Sequence, residues 1–297
     1  MNPTLKRTSA WAAAGLAGIS AVQFGSAAFR RLVRTDVQTL LDRSSTGDGA
    51  TVTAQMLRSL PEPVRRYLTH TGVVGTPFVR TVRLRQTGRM RTGPDQPWLP
   101  LKAEEWYTVD PPGFVWAGTM HMGPLAVARA RDMYLDGRGH MLVKAVSLVT
   151  VVDANGEEMD QGSMMRYLSE MIWFPSAFLA DNISFEAVDD FSARVTLTDH
   201  GRTASATMSF DGEGRLTNFV AQRYRTVARR CELETWSTPI TGYRRLAGLN
   251  LPVRGKAVWK LADGEFDYVD VLVDELEHDV THPDPGTRSP HRQRSSP

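Results

Sequence analysis

Glu104 and His121 are the closest this chain comes to an acid/base pair. A histidine titrates near neutral pH, and a carboxylate beside it can orient the ring or share its proton. On facing strands the two would be the minimum for general-base chemistry. The same juxtaposition also serves as an ordinary polar cross-strand contact. The other histidines, His70, His140, His200, His278, His282 and His291, are scattered without metal-ligand spacing. There is no Gly-x-Ser-x-Gly, no phosphate-binding loop and no His-Glu-x-x-His. Gly137-Arg-Gly139 and Gly212-Glu-Gly214 lack a third glycine and read as hairpin turns. The residues therefore designate no catalytic set, no metal ligands and no cofactor. Cys231 is the single cysteine, so no internal disulfide forms, and a lone thiol in a strand reads as packing.

A second set of residues suits apolar chemistry. Met164, Met165, Leu168, Met171 and Ile172 recur at helical spacing, and the run stops at Trp173-Phe174-Pro175. Methionine adapts to irregular or variable partners. One reading is a lid over an apolar cavity, with Met164, Met165, Trp173, Phe174 and Phe178 as the ligand-binding candidates. The other is a permanent core plug built on Trp173 and Phe174. Arg83, Arg85, Arg89 and Arg91, with Glu104 and Glu105, place charge on a sheet face. That face is either a solvated exterior or a site for a charged headgroup.

These residues sit in a chain of 297 residues with 41% hydrophobic and 23% charged content, which suits a globular body. The net charge is only +2 and arginines are interspersed with acids, which argues against nucleic acid as a partner. Thr53 caps a helical stretch that Pro61 and Pro63 divide into two short helices ending near Gly72. From Pro77 the apolar period changes to two. Turns at Gly93-Pro94, Pro112-Gly113, Asp136-Gly137, Asp211-Gly212 and Asp263-Gly264 separate strands of about ten residues. Residues 157–179 interrupt them as a helix and apolar turn. The pattern predicts an α+β fold: one large curved antiparallel sheet of roughly ten to twelve strands, an unclosed or half barrel. Helices cover one side of it, and a hydrophobic helix precedes it.

Ser9 to Phe29 carries no charge, with Lys6 and Arg7 before it and Arg30 and Arg31 after it. It reads as a membrane anchor (a transmembrane helix) or as an export signal, with a soluble helix as the remaining alternative. Either of the first two readings links the chain to a membrane or the cell envelope, and the flanking charges leave the side of the membrane open. The expected organisation is an anchor or signal over 1–35, a linker over 36–52, a single β-rich domain over 53–280, and a disordered tail over 281–297.

Four stretches carry a resemblance: Leu60-Pro-Glu-Pro-Val-Arg-Arg-Tyr-Leu, Tyr134-Leu-Asp-Gly-Arg-Gly, Trp173-Phe-Pro-Ser-Ala-Phe-Leu and Tyr243-Arg-Arg-Leu-Ala-Gly-Leu-Asn-Leu-Pro-Val-Arg-Gly. With the strand order, they make residues 53–278 resemble a bacterial family defined as a domain of unknown function. That resemblance brings no activity or catalytic residue with it. The architecture is more loosely similar to the lipoprotein-carrier half-barrels of the bacterial envelope, which hold acyl chains between a curved sheet and helical lids. The expectation is non-catalytic binding of a lipid or other apolar ligand at a membrane. The alternatives are a hydrolase or isomerase whose acids converge only in three dimensions, and a structural or interaction domain.

Overall fold

The computed structural model describes residues 3–45, 49–227 and 230–284, with side chains described from residue 18 onward except at 226 and 227. Among the described residues three α-helices form: α1 (Pro3–Asp42), α2 (Glu62–Thr71) and α3 (Glu157–Glu170). Short 3-10 helices at Met171–Trp173 and Pro175–Leu179 follow α3. The first group of strands is β1 (Thr81–Met90), β2 (Leu99–Thr108), β3 (Gly113–Met122), β4 (Leu125–Leu135), β5 (Arg138–Ala145) and β6 (Val149–Ala154). The second is β7 (Ile183–Asp189), β8 (Ser192–Asp199), β9 (Arg202–Phe210), β10 (Leu216–Val227), β11 (Arg230–Ser237), β12 (Ile240–Leu246), β13 (Leu249–Leu261) and β14 (Gly264–His278).

All 14 strands belong to one sheet, whose order runs from β6 back to β1, then β14, β13, β11 and on to β7. Strand β12 pairs with β13 off that path. The sheet is unclosed, with β6 and β7 at its edges. Tight turns set the local pairing. Asp136 and Gly137 both adopt positive φ (52° and 72°), the requirement of a two-residue hairpin turn between β4 and β5. The strand count exceeds the expected ten to twelve because the 140–152 stretch splits and a further hairpin forms after Thr238.

Period two sends alternate side chains to opposite faces. Ala103, Glu105 and Tyr107 of β2 face α3, with Phe114 and Trp116 of β3. The main core forms there and includes Tyr67 and Leu68 of α2 and nearly all of the apolar side of α3. Trp106, Val115 and Leu142 face the other way and meet Phe29, Val33, Val37, Leu40 and Leu41 of α1. Helices therefore cover both faces, where one covered face was expected. The reason is a stripe of apolar residues at spacings of three and four, with no Gly or Pro between Ser26 and Asp42 to end the helix. The helix thus runs through the boundary expected at residue 35. Arg131 of β4 pairs with Asp36 at 3.3 Å beneath it.

The helix expected over 53–60 is a series of turns, and only α2 forms in that region. Pro61 disfavours helical geometry in the residue before it, leaving too short a run to nucleate. Among the described residues no helix is long and apolar enough to cross a membrane, because Ser9–Phe29 is built largely of Ala, Gly and Ser. The transmembrane helix expected there is therefore not found. Most of the expected disordered tail, residues 285–297, lies outside the described residues.

Candidate functional site: a cleft between the first helix and the sheet

A cavity of about 850 Å³ lies between α1 and the face of the sheet opposite α3. Its apolar lining comes from Phe29, Val33 and Val37 on α1 and from Trp106 and Ala117 on β2 and β3. Register places these together: Trp106 pairs with Val115 and Glu104 with Ala117, so the same side of adjacent strands points at the helix. At Arg85/Gln86 the β1–β14 pairing skips a residue, and this bulge turns Asp274 and Glu275 toward the cleft.

The charged lining is uneven. Glu104 holds Arg83 at 2.9 Å and Arg85 at 2.8 Å, Arg85 also reaches Glu275 at 3.1 Å, and Arg34 holds Asp284 at 2.5 Å. Four other lining cations, Arg30, Arg31, Lys102 and Arg129, form no ion pair among the described residues; one lining carboxylate, Asp274, also has none. Arg129 donates from Nε to Ser147 Oγ at 3.0 Å and from Nη1 to Thr119 Oγ1 at 3.1 Å, so hydroxyls hold it in place of a carboxylate. Burial and the nearby Arg30 charge push its pKa down. Trp106 lines the same cleft, and its buried indole N–H has no acceptor among the described residues.

The α3 face holds a different cluster. Arg166 donates from Nη2 to Glu105 at 2.9 Å, from Nη1 to Asp132 at 2.8 Å and from Nε to Glu170 at 2.9 Å. Its guanidinium lies 5.0 Å from the ring centroids of both Phe114 and Trp116, and Tyr107 donates to Glu170 at 3.1 Å. Burial drives the Glu105 carboxyl well above the ordinary glutamate range, although Arg166 pulls the other way. Burial likewise works against the Arg166 charge, but Glu105, Glu170 and Asp132 outweigh it and hold the guanidinium protonated. None of these side chains lines the cleft.

Glu104 and His121 do not meet. Glu104 pairs with Ala117, and the β2–β3 ladder reaches only Met120 opposite Leu101. Arg83, Arg85 and Arg89 share the outer face with Glu104, as the pattern suggested. Glu105 lies on the opposite face, and Arg91 follows the end of β1 and pairs with Asp267. Among the described residues, no group of three or more His, Cys, Asp or Glu could hold a metal ion. Met164, Met165, Trp173, Phe174 and Phe178 are all buried in the main core. Trp173 donates its indole N–H to the Pro252 carbonyl at 3.0 Å, and Tyr107 packs on Phe174 at 5.0 Å between centroids. None of the five lines the cleft. Sequence reasoning missed Arg129, Lys102 and the α1 stripe as lining residues. The stripe Phe29, Val33, Val37 was the available signal, and the uncharged run just before it drew the reading toward the membrane instead.

Residues 50–271 match the sequence profile of a family of unknown function (DUF6544). The chain belongs to this family. The family resemblance seen in the sequence is thereby confirmed, and the cleft joins the family domain to a helix that precedes it. No curated protein matches the DUF6544 chain. Solved structures similar to it include a putative outer membrane lipoprotein-sorting protein domain from Vibrio parahaemolyticus, at 6% identity over 68% of this chain and 86% of that one, with a TM-score of 0.38. Another is a DUF1329 family protein from Desulfovibrio piger, at 9% identity over 78% and 95%, TM-score 0.41. A third is a LolA superfamily protein from Nitrosomonas europaea, at 11% identity over 76% and 94%, TM-score 0.37.

Proposed function

We propose that this DUF6544 protein binds a lipid or another apolar molecule with an anionic end, without chemical change, in the cleft between α1 and the sheet. The observation that carries this reading is the cleft itself. Its volume falls in the range typical of small-molecule sites, with an apolar floor and four cations lacking carboxylate partners. Each methylene of an acyl chain removed from water there contributes about 0.8 kcal/mol. The anionic end lies toward Arg129 and Arg30, and a ligand acceptor satisfies the Trp106 indole N–H, which otherwise bears a desolvation cost. Glu105 is buried and protonated more readily than usual, yet Arg166 encloses it away from the cleft, and of the lining carboxylates Glu104, Glu275 and Asp284 are held by arginines.

Native mass spectrometry of the full chain, followed by solvent extraction, tests this directly. Titration with cis-parinaric acid, a fluorescent acyl carboxylate, gives the affinity. Saturable uptake that Ala117→Phe abolishes by filling the cleft is the expected result. An apo mass with no uptake, or uptake unchanged in Ala117→Phe, overturns the proposal.

A further inference from the structure

The end of the sheet where α1 leaves the body carries a set of exposed apolar side chains. The β3–β4 turn presents Met122 and Leu125, at 59% and 67% exposure. The neighbouring β5–β6 turn presents Val146 and Leu148, and Val149 follows on the edge strand β6. The two turns lie side by side, since the Val146 amide donates to the Val127 carbonyl at 2.9 Å. Val146 and Ser147 both hold positive φ (44° and 65°), a sterically costly conformation for a β-branched residue. The turn is fixed from behind by Ser147, whose hydroxyl accepts from Ser26 at 2.9 Å and from Arg129 at 3.0 Å. Helix α1 crosses here, and residues 18–24, including Ile19 and Phe24, are all exposed beyond the crossing.

Charge at this end has one sign. Residues 18–35, 117–131 and 142–152 contain no Asp or Glu, while Arg30, Arg31, Arg129 and Lys144 lie among them. An exposed apolar patch marks an interaction surface. A purely protein partner needs no such bias, whereas a bilayer of anionic lipids attracts cations and accepts apolar side chains at the headgroup boundary. From this juxtaposition we infer that the β3–β4 and β5–β6 turns, together with the exposed part of α1, dock onto an anionic membrane surface. The tip enters the interface and does not span it. The apolar tip residues Met122, Leu125, Val146, Leu148 and Val149 do not line the cleft, whereas Arg30, Arg31 and Arg129 serve both surfaces.

The test uses the full chain in a flotation assay with vesicles of phosphatidylcholine alone or with 30% phosphatidylglycerol, an assay composition set in line with the electrostatic argument. The wild type floats with the anionic vesicles only, and raised salt releases it. A Leu125→Glu/Val149→Glu double variant, altered only at exposed positions, binds at least tenfold more weakly with unchanged circular dichroism. A Leu125→Trp reporter blue-shifts on vesicle addition and is quenched by brominated lipid. Unchanged binding of the double variant would show attachment through α1 alone and overturn the inference. So would absence of vesicle binding, or a concentration-dependent dimer in sedimentation that the double variant dissolves, which would mark the patch as a contact between copies. The parinaric-acid titration is run on the same variants. Retained uptake with lost flotation separates this surface from the cleft.

Discussion

Glu104 and Glu105 are neighbours in the chain and end in opposite environments. Glu104 stands on the α1 face between Arg83 and Arg85, while Glu105 is fully buried on the α3 face beneath Arg166. One peptide bond in an extended strand separates a solvated ion pair from a carboxyl that burial holds toward its neutral form.

The Glu105 environment predicts an unusual pH dependence. Its folded pKa lies above the unfolded value of about 4.5, so the folded state binds the proton more tightly. Its contribution to stability is complete below about pH 4.5 and declines as pH rises toward the folded pKa. Glu105→Gln removes this decline. Urea unfolding of both proteins between pH 5 and pH 8 measures it, and parallel pH profiles would contradict the assignment.

Removing the cation has the opposite character. Arg166→Met leaves Glu105 and Asp132 buried without their counter-ion, and breaking a buried pair in this way costs about 3–5 kcal/mol. Urea unfolding at neutral pH reads this as a lower midpoint with an unchanged slope.

Trp173→Ala separates the two readings of the central helix. Truncating a buried Trp costs about 3–5 kcal/mol. If Trp173 is a core plug, the variant loses that stability and keeps cis-parinaric acid affinity at temperatures where it remains folded. A selective loss of affinity would move the ligand to the α3 face.

Gly25 is the point at which α1 approaches the β5–β6 turn. A Cβ at this position would lie 2.4 Å from the Ser147 carbonyl oxygen and 2.9 Å from a Leu148 methyl group. Gly25→Ala therefore pushes the helix off the turn, with an overpacking cost of about 1–3 kcal/mol. Hydrogen exchange should rise in residues 26–41 and stay unchanged in β8–β10.

Much of the sheet was legible because its turns declare themselves. Asp136-Gly137 and Asp263-Gly264 demand reversal, and the period-two runs between them leave little choice of element. The central helix was equally plain from Met164, Leu168 and Met171. What escaped was register and partnership. Closing the β2–β3 hairpin at Thr108 opposite Gly113 fixes Ala117 as the partner of Glu104, and no local signal tells a reader that His121 falls beyond the ladder. The cleft was hidden for a related reason. Val33 and Val37 announce an amphipathic helix, but which face of which sheet they meet is a tertiary fact. Arg166 looked like a polar residue on a Met-rich helix until three carboxylates from β2, β4 and α3 were found around it.

The sheet order places β1 beside β14, so the two ends of the β-rich chain meet in the middle and both free edges come from mid-sequence. Apart from β11, which pairs with β13 past the β12 excursion, each wing, β1–β6 and β7–β14, assembles from hairpins between sequence neighbours, and the β1–β14 seam joins the most distant segments. Loop-closure entropy makes that seam the slow, late step of assembly. Trimming either end of the chain into β1 or β14 would split the sheet into halves, whereas a permutant joining β14 to β1 and opened between β6 and α3 would turn the seam into a hairpin.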